Sequence, residues 1–104
     1  MRRGEVWWAE LPAPAGRRPV VLLSRNEAYE LRELVIVAPV TSRARHIPTE
    51  VALGRDDGLP RACVANLDTL TTVPKSVLTR KLSSLSAERV AAVDRALRFA
   101  LGLR

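Results

Sequence analysis

Two short stretches of this 104-residue chain concentrate side chains able to grip a phosphodiester. Arg17 and Arg18 stand immediately before Pro19, and Thr41, Ser42, Arg43, Arg45 and His46 follow an apolar run that ends at Val40. Arginine presents a planar fork that binds phosphate oxygens in pairs, and hydroxyls add hydrogen bonds to the same oxygens. Such a set suits one reaction in particular. RNA carries its own nucleophile, the 2′-hydroxyl beside each phosphodiester, so cleavage needs that oxygen deprotonated, the pentavalent phosphate stabilised and the leaving 5′-oxygen protonated. No metal or other cofactor is called for, and DNA is excluded because it lacks the 2′-hydroxyl. Arg18 is the best placed of the arginines. Pro19 forces the residue before it into extended backbone, so the guanidinium leaves a stiff strand entrance, as a pre-organised phosphate clamp would. A charged residue that merely flanks a strand is the competing reading, as a simple strand terminator is for Thr41. His46 is the only side chain whose ordinary pKa suits a general base, although a lone loop histidine is more often solvated than catalytic.

These residues meet only if the chain folds appropriately. Residues 5–11 have the aromatic and branched character of a first strand, and Pro12 to Gly16 form a turn dense in proline and glycine. Residues 19–24 and 34–40 are short, nearly unbroken apolar runs, expected as central strands buried on both faces. Asn26 to Leu31 is compatible with a short helical turn. Residues 49–53 alternate as a half-solvated strand, Gly54 to Pro60 form a loop tightest at Asp57-Gly58, and further strands are expected at 61–67 and 68–73. A helix begins after Ser86 as N-cap, with Leu85 and Val90 as a hydrophobic staple. Val90, Val93, Leu97 and Leu101 form its apolar stripe and Gly102 its C-terminal cap. About six short strands in series and one long C-terminal helix imply a mainly β fold, an antiparallel curled sheet or small barrel. In that fold the loops at 12–18 and 41–48 share one rim, which gathers four arginines, two hydroxyls and the only histidine.

Composition agrees with one domain over residues 1–104, with a core built mostly of aliphatic side chains, since aromatic residues make up 4%. The formal charge is +6, and fifteen of the seventeen basic residues are arginine. A nucleic-acid partner accounts for that bias, as does a genome rich in arginine codons. The single cysteine, Cys63, precludes an internal disulfide and reads as a buried strand thiol; with one histidine it cannot make a typical zinc site. No apolar run approaches a membrane span and no signal-peptide pattern opens the chain, so a cytoplasmic location is expected.

Arg3-Gly4-Glu5-Val6-Trp7-Trp8 and Arg18-Pro19-Val20-Val21-Leu22-Leu23-Ser24 resemble the opening of MazF/PemK toxins. Pro39-Val40-Thr41-Ser42 is similar to their third strand and its hydroxyl, and Leu82 through Leu103 to their terminal helix. The resemblance covers essentially the whole chain through motifs that are specific in their order and spacing. It implies a curled SH3-like β-barrel with appended helices that works as a homodimer. The implied activity is cleavage of single-stranded RNA at short motifs, leaving 2′,3′-cyclic phosphate and 5′-hydroxyl ends, and it is held in check by an antitoxin with an acidic, flexible tail. The family's catalytic arginine falls on Arg18 and its catalytic hydroxyl on Thr41, with Ser42 adjacent. A later-strand aspartate used by some members matches Asp68, whereas their arginine is replaced here by Asn66. Arg17, Ser42, Arg43, Arg45, His46, Asn66 and Asp68 are therefore candidate substrate contacts. The first loop is shorter than in many members, which implies a more open groove able to admit tRNA or rRNA stem-loops as well as mRNA. Two other readings stay open at this point. One is a gyrase poison of the CcdB type, which has the same fold; the other is a non-catalytic RNA-binding barrel. The former has no use for the arginine rim. The latter usually displays several exposed rings, whereas Trp7 and Trp8 point to opposite faces and Tyr29 is isolated.

Overall fold

The computed structural model describes residues 1–104. Seven strands and two helices follow in the order β1 (Glu5–Glu10), β2 (Arg17–Leu22), α1 (Ala28–Leu31), β3 (Leu34–Thr41), β4 (Glu50–Leu53), β5 (Cys63–Asn66), β6 (Thr71–Pro74), β7 (Leu78–Ser84) and α2 (Ala87–Leu101). All pairings are antiparallel, and the main path runs β4-β5-β3-β2-β1-β7, with β6 paired to the first half of β3. The sheet curls without closing, so the expected barrel is an open one with β4 and β7 at its edges.

Long β3 is the hinge of the architecture. Its first half pairs with β6, its middle with β2 and its last two residues with β5. Alternation along the strands sends apolar side chains to both faces. Val6, Val21, Ala38 and Val40 build one cluster, which Val93 and Ala96 of α2 cover. Val20, Leu22, Val35 and Val37 build the other, with Tyr29 of α1 packed against it. The Tyr29 hydroxyl donates to the Ser24 carbonyl at 3.0 Å, and burial pushes its pKa up to about 12. Burial of β3 on both faces holds only at Val37 and Ala38, with Pro39 half-buried before Val40. Earlier in the strand Leu34 and Ile36 are exposed, because nothing covers that face.

Helix α2 starts and stops where expected. Ser86 accepts the Arg89 backbone N–H at 3.1 Å, and Gly102, at φ +69°, closes the C-terminus. The stripe is shifted: Ala96 joins Val93 in the core, while Leu101 is exposed. Two other expectations change. The stretch 61–73 is two four-residue strands broken by a 3-10 turn at Leu67–Thr69, which the Asn66 side chain caps by accepting from the Asp68 N–H at 2.9 Å. Strand β7 carries little apolar pattern and is held to β1 by backbone pairing and by Lys81 against Glu5 at 3.3 Å.

Candidate active site

Arg17 and Arg18 lie inside β2 rather than in the loop before it, and their register sets the site. Arg18 pairs with Ala9 of β1. Val20 faces Pro39 on β3, so continuing that register by two residues brings Arg18 opposite Thr41. Both therefore rise from the same face of adjacent strands. The Arg18 Nε–H donates to the Ala15 carbonyl at 3.0 Å, which fixes the fork, and no carboxylate pairs with it. The Thr41 hydroxyl oxygen accepts the Arg43 N–H at 3.2 Å, leaving its own proton to donate elsewhere.

Two clefts meet at this pair. The first, about 230 Å³, continues past Arg17, Arg18, Thr41 and Ser42 to Trp8 and Arg61. The second, about 520 Å³, lies between Arg18, Thr41, Arg43, Arg45 and Asn66. Arg18 and Thr41 are thus common to both walls, and five arginines edge the two clefts, which lie on either side of the strand ends. Three of these, Arg18, Arg43 and Arg61, have no acidic partner; Arg17 leans on Glu10 and Arg45 on Glu50. No carboxylate or imidazole lines either cleft, so the groove is an anion site throughout. Unpaired guanidinium groups in a concave surface focus positive potential there.

The remaining candidates take other places. His46 sits in the loop after β3 with φ +55°, its N–H donating to Glu50 at 2.9 Å, and it lines neither cleft. Asp68 also lines neither; its carboxylate accepts the Thr49 hydroxyl at 2.6 Å, beside the second cleft's Asn66. Asn66 itself is in the wall, occupied in capping the following turn. Three groups were not legible as site residues. Trp8 faces the first cleft, whereas Trp7 packs into the core and donates to Glu5 at 2.9 Å. Arg61 arrives directly after the Gly54–Pro60 loop, expected only as a connection. Cys63 is half-buried in the cleft wall instead of fully buried, and burial, with Asp57 nearby, pushes its thiol pKa up.

The loop that brings Leu59, Pro60 and Arg61 to the wall is anchored at Asp57. Its carboxylate accepts the Gly54 N–H at 2.9 Å and Arg89 Nε at 3.0 Å, while its carbonyl accepts the Ser83 hydroxyl at 2.7 Å. Gly58, at φ +85°, follows against Ser83.

The arginine-bearing loop 42–48 is held by Glu50. Its carboxylate accepts the Arg45 and His46 N–H groups at 2.8 and 2.9 Å. The Arg45 hydrogen bond foremost holds the Glu50 pKa below the ordinary 4.5, against the opposing effect of burial. A depressed carboxylate stabilises the fold fully above its unfolded pKa, and that contribution is lost as pH falls through the folded value. Amide exchange at Arg45 and His46 is therefore expected to accelerate as pH drops from the ordinary carboxylate range downward, after correction for intrinsic exchange rates. Glu50→Gln should remove the pH dependence; an unchanged profile in that variant would refute this assignment.

Known proteins share this sequence pattern and fold. Residues 2–101 match the model of the PemK-like, MazF-like toxins of type II toxin–antitoxin systems. The probable endoribonuclease MazF5 of Mycobacterium tuberculosis (strain ATCC 25618 / H37Rv) is 42% identical over 100 residues, which cover 95% of this chain and 91% of that protein. The M. tuberculosis toxin MazF-mt6 superposes with a TM-score of 0.89 at 30% identity, over 96% of this chain and 98% of its own. A mycobacterial endoribonuclease in complex with its cognate antitoxin superposes at 0.88 with 30% identity, over 100% and 97% of the two chains. With the family model spanning residues 2–101 and a relative 42% identical over 95% of its length, the chain belongs to the PemK-like, MazF-like toxins of type II toxin–antitoxin systems.

Proposed function

We infer that the chain, as one toxin domain over 1–104, is an endoribonuclease that cuts RNA at a short sequence motif without a metal, using the RNA's own 2′-hydroxyl. The observation that carries this is the juxtaposition of Arg18 and Thr41 across β2 and β3, at the junction of two arginine-edged clefts. An RNA strand crossing from one cleft to the other brings a phosphate over the pair. The 2′-oxygen then attacks phosphorus, its proton passing to water, since neither wall offers a carboxylate or imidazole. Arg18 stabilises the doubly charged pentavalent phosphate through paired hydrogen bonds, and the Thr41 hydroxyl donates to a non-bridging oxygen. The bond to the 5′-oxygen breaks, that oxygen takes a proton from water, and a 2′,3′-cyclic phosphate and a 5′-hydroxyl remain. Arg17, Ser42, Arg43, Arg45 and Asn66 hold the flanking nucleotides; His46 and Asp68 act from outside the walls, through the loops they belong to.

Relatives named as endoribonucleases favour this over a gyrase poison or a passive RNA binder. By analogy with the antitoxin complex among its structural neighbours, an antitoxin with an acidic segment fits the arginine-edged clefts, and membership of the family supports a toxin that works as a homodimer. No helix is long and apolar enough to cross a membrane, and we place the protein in the cytoplasm. The connection from β1 to β2 is only Leu11–Gly16, which leaves the groove open to stem-loops of tRNA or rRNA as well as to mRNA.

Total RNA incubated with purified protein in EDTA tests this. Discrete cuts bearing cyclic-phosphate ends are expected, in folded as well as unstructured RNA. Intact RNA, or cuts that appear only with added divalent metal, would overturn the mechanism; cuts confined to unstructured mRNA would overturn the open-groove reading alone.

A further inference from the structure

Trp8 is the one aromatic side chain in the wall of the first cleft, and its surroundings differ from those of a core tryptophan. The Arg17 guanidinium lies over its ring, 4.5 Å from the centroid. Arg17 also reaches Glu10 at 3.4 Å, and both of those side chains are more than half exposed. The Trp8 Nε1 is the only buried side-chain polar atom without a hydrogen-bond partner, an uncommon condition in a native fold. Neighbouring Trp7 shows none of these features: it packs with the second apolar cluster and its Nε1 donates to Glu5. One tryptophan therefore serves the core and the other faces the groove, as strand alternation requires.

We propose that Trp8 is a stacking platform for the nucleobase next to the phosphate held at Arg18 and Thr41, and that Arg17 caps it in the free protein. This rests on the nuclease reading above. The cap is easily displaced, because an exposed ion pair and an exposed cation–π contact are both weak surface interactions. An incoming nucleotide offers each partner a better one. Its phosphate takes the Arg17 fork, and its base takes the ring face that Arg17 leaves. Stacking is tolerant of base identity, so selectivity comes from the edge groups. In the wall beside the ring the charged donor left for the base is Arg61, whereas the side-chain acceptors are only hydroxyls and a thiol. That inventory favours acceptor edges, the O4 of uracil or the O6/N7 edge of guanine, over the N6 and N4 amine edges of adenine and cytosine, which need acceptors.

The test uses the intact protein and a 2′-O-methyl heptamer carrying the motif found by cleavage profiling, which binds without being cut. If the wild type cuts nothing, a random-sequence 2′-O-methyl heptamer pool replaces it. Saturable quenching of tryptophan emission is expected, and Trp8→Phe should abolish most of it. The Kd should rise roughly five- to hundred-fold in Trp8→Ala and less than about five-fold in Trp8→Phe, since phenylalanine keeps a ring face. Thermal melts establish folding; should Trp8→Ala not fold, Trp8→Leu, which keeps bulk without a π face, takes its place and should behave as the alanine variant. Binding within about two-fold of wild type in the ring-deleted variant, or a phenylalanine variant as weak as it, would overturn the platform. Quenching by the pool without any RNA cleavage would overturn the nuclease reading and leave the platform standing. Cleavage with no effect of the Trp8 variants would do the reverse.

Discussion

Arg18→Ala is expected to lower the cleavage rate by about 10²- to 10³-fold, the usual cost of removing one pre-organised donor from a charge-developing centre. The reason lies in geometry already formed in the free protein. Pro19 keeps the backbone at Arg18 extended, Nε is tied to the Ala15 carbonyl, and the rest of the fork faces two clefts with no carboxylate to neutralise it. Little rearrangement is then needed when charge accumulates on the phosphate, so the stabilisation falls chiefly on the transition state and the loss should appear in kcat more than in KM. The fold loses only one hydrogen bond, about 1 kcal/mol, so the variant should melt within several degrees of wild type. Arg18→Lys restores charge without the fork and should recover only part of the rate. End-labelled RNA in single-turnover assays measures this directly. An Arg18→Ala variant that cleaves within ten-fold of wild type would remove Arg18 from the centre of the reaction.

Gly58→Ala should destabilise the protein by about 3 kcal/mol, combining a left-handed backbone penalty of about 1–2 kcal/mol with the strain of overpacking. At φ +85° an added Cβ would overlap the Ser83 Cβ and lie 2.9 Å from its hydroxyl oxygen. The Ser83 hydroxyl is the donor to the Asp57 carbonyl, so relieving the clash also loosens the anchor. For a chain of this size the melting temperature should fall by about 15 °C, measured by circular dichroism. Ser83→Ala alone leaves no hydroxyl to collide yet retains the offending Cβ, so it should not rescue Gly58→Ala, whereas Ser83→Gly should recover part of the loss. A melting temperature for Gly58→Ala within two or three degrees of wild type would refute the close packing of this loop on β7.

The sequence made the site more legible than the framework around it. Arg17-Arg18-Pro19 and Thr41-Ser42 announce themselves by residue type and by the proline, and antiparallel neighbours bring them to one end. The apolar runs marking β2 and β3, and the capped helix α2, were visible because periodicity and caps are local signals. Strand β7 was hidden because Leu78 to Ser84 is held by ladder hydrogen bonds to β1, which no side-chain alternation reports. The exposure of Leu34 and Ile36 was hidden for another reason: an apolar run looks the same whether both faces are covered or only one. Trp8 reaches the site by strand alternation on β1, whereas Arg61 joined it through tertiary approach of the segment after the 54–60 loop to the start of β2, a placement set by Asp57, Ser83 and Arg89 rather than by spacing along the chain.

Asp57 divides the labour within that loop. The hydrogen bonds that fasten the loop to β7 and α2 pass through the backbone and carboxylate of this one residue, and Leu59 roots it in the core, while Pro60 and Arg61 only face the groove. Attachment and recognition are thus written in separate letters. Positions 60 and 61 can thus be varied with the mounting left undisturbed, and replacing their side chains is expected to alter which RNA is cut, as cleavage profiling would read.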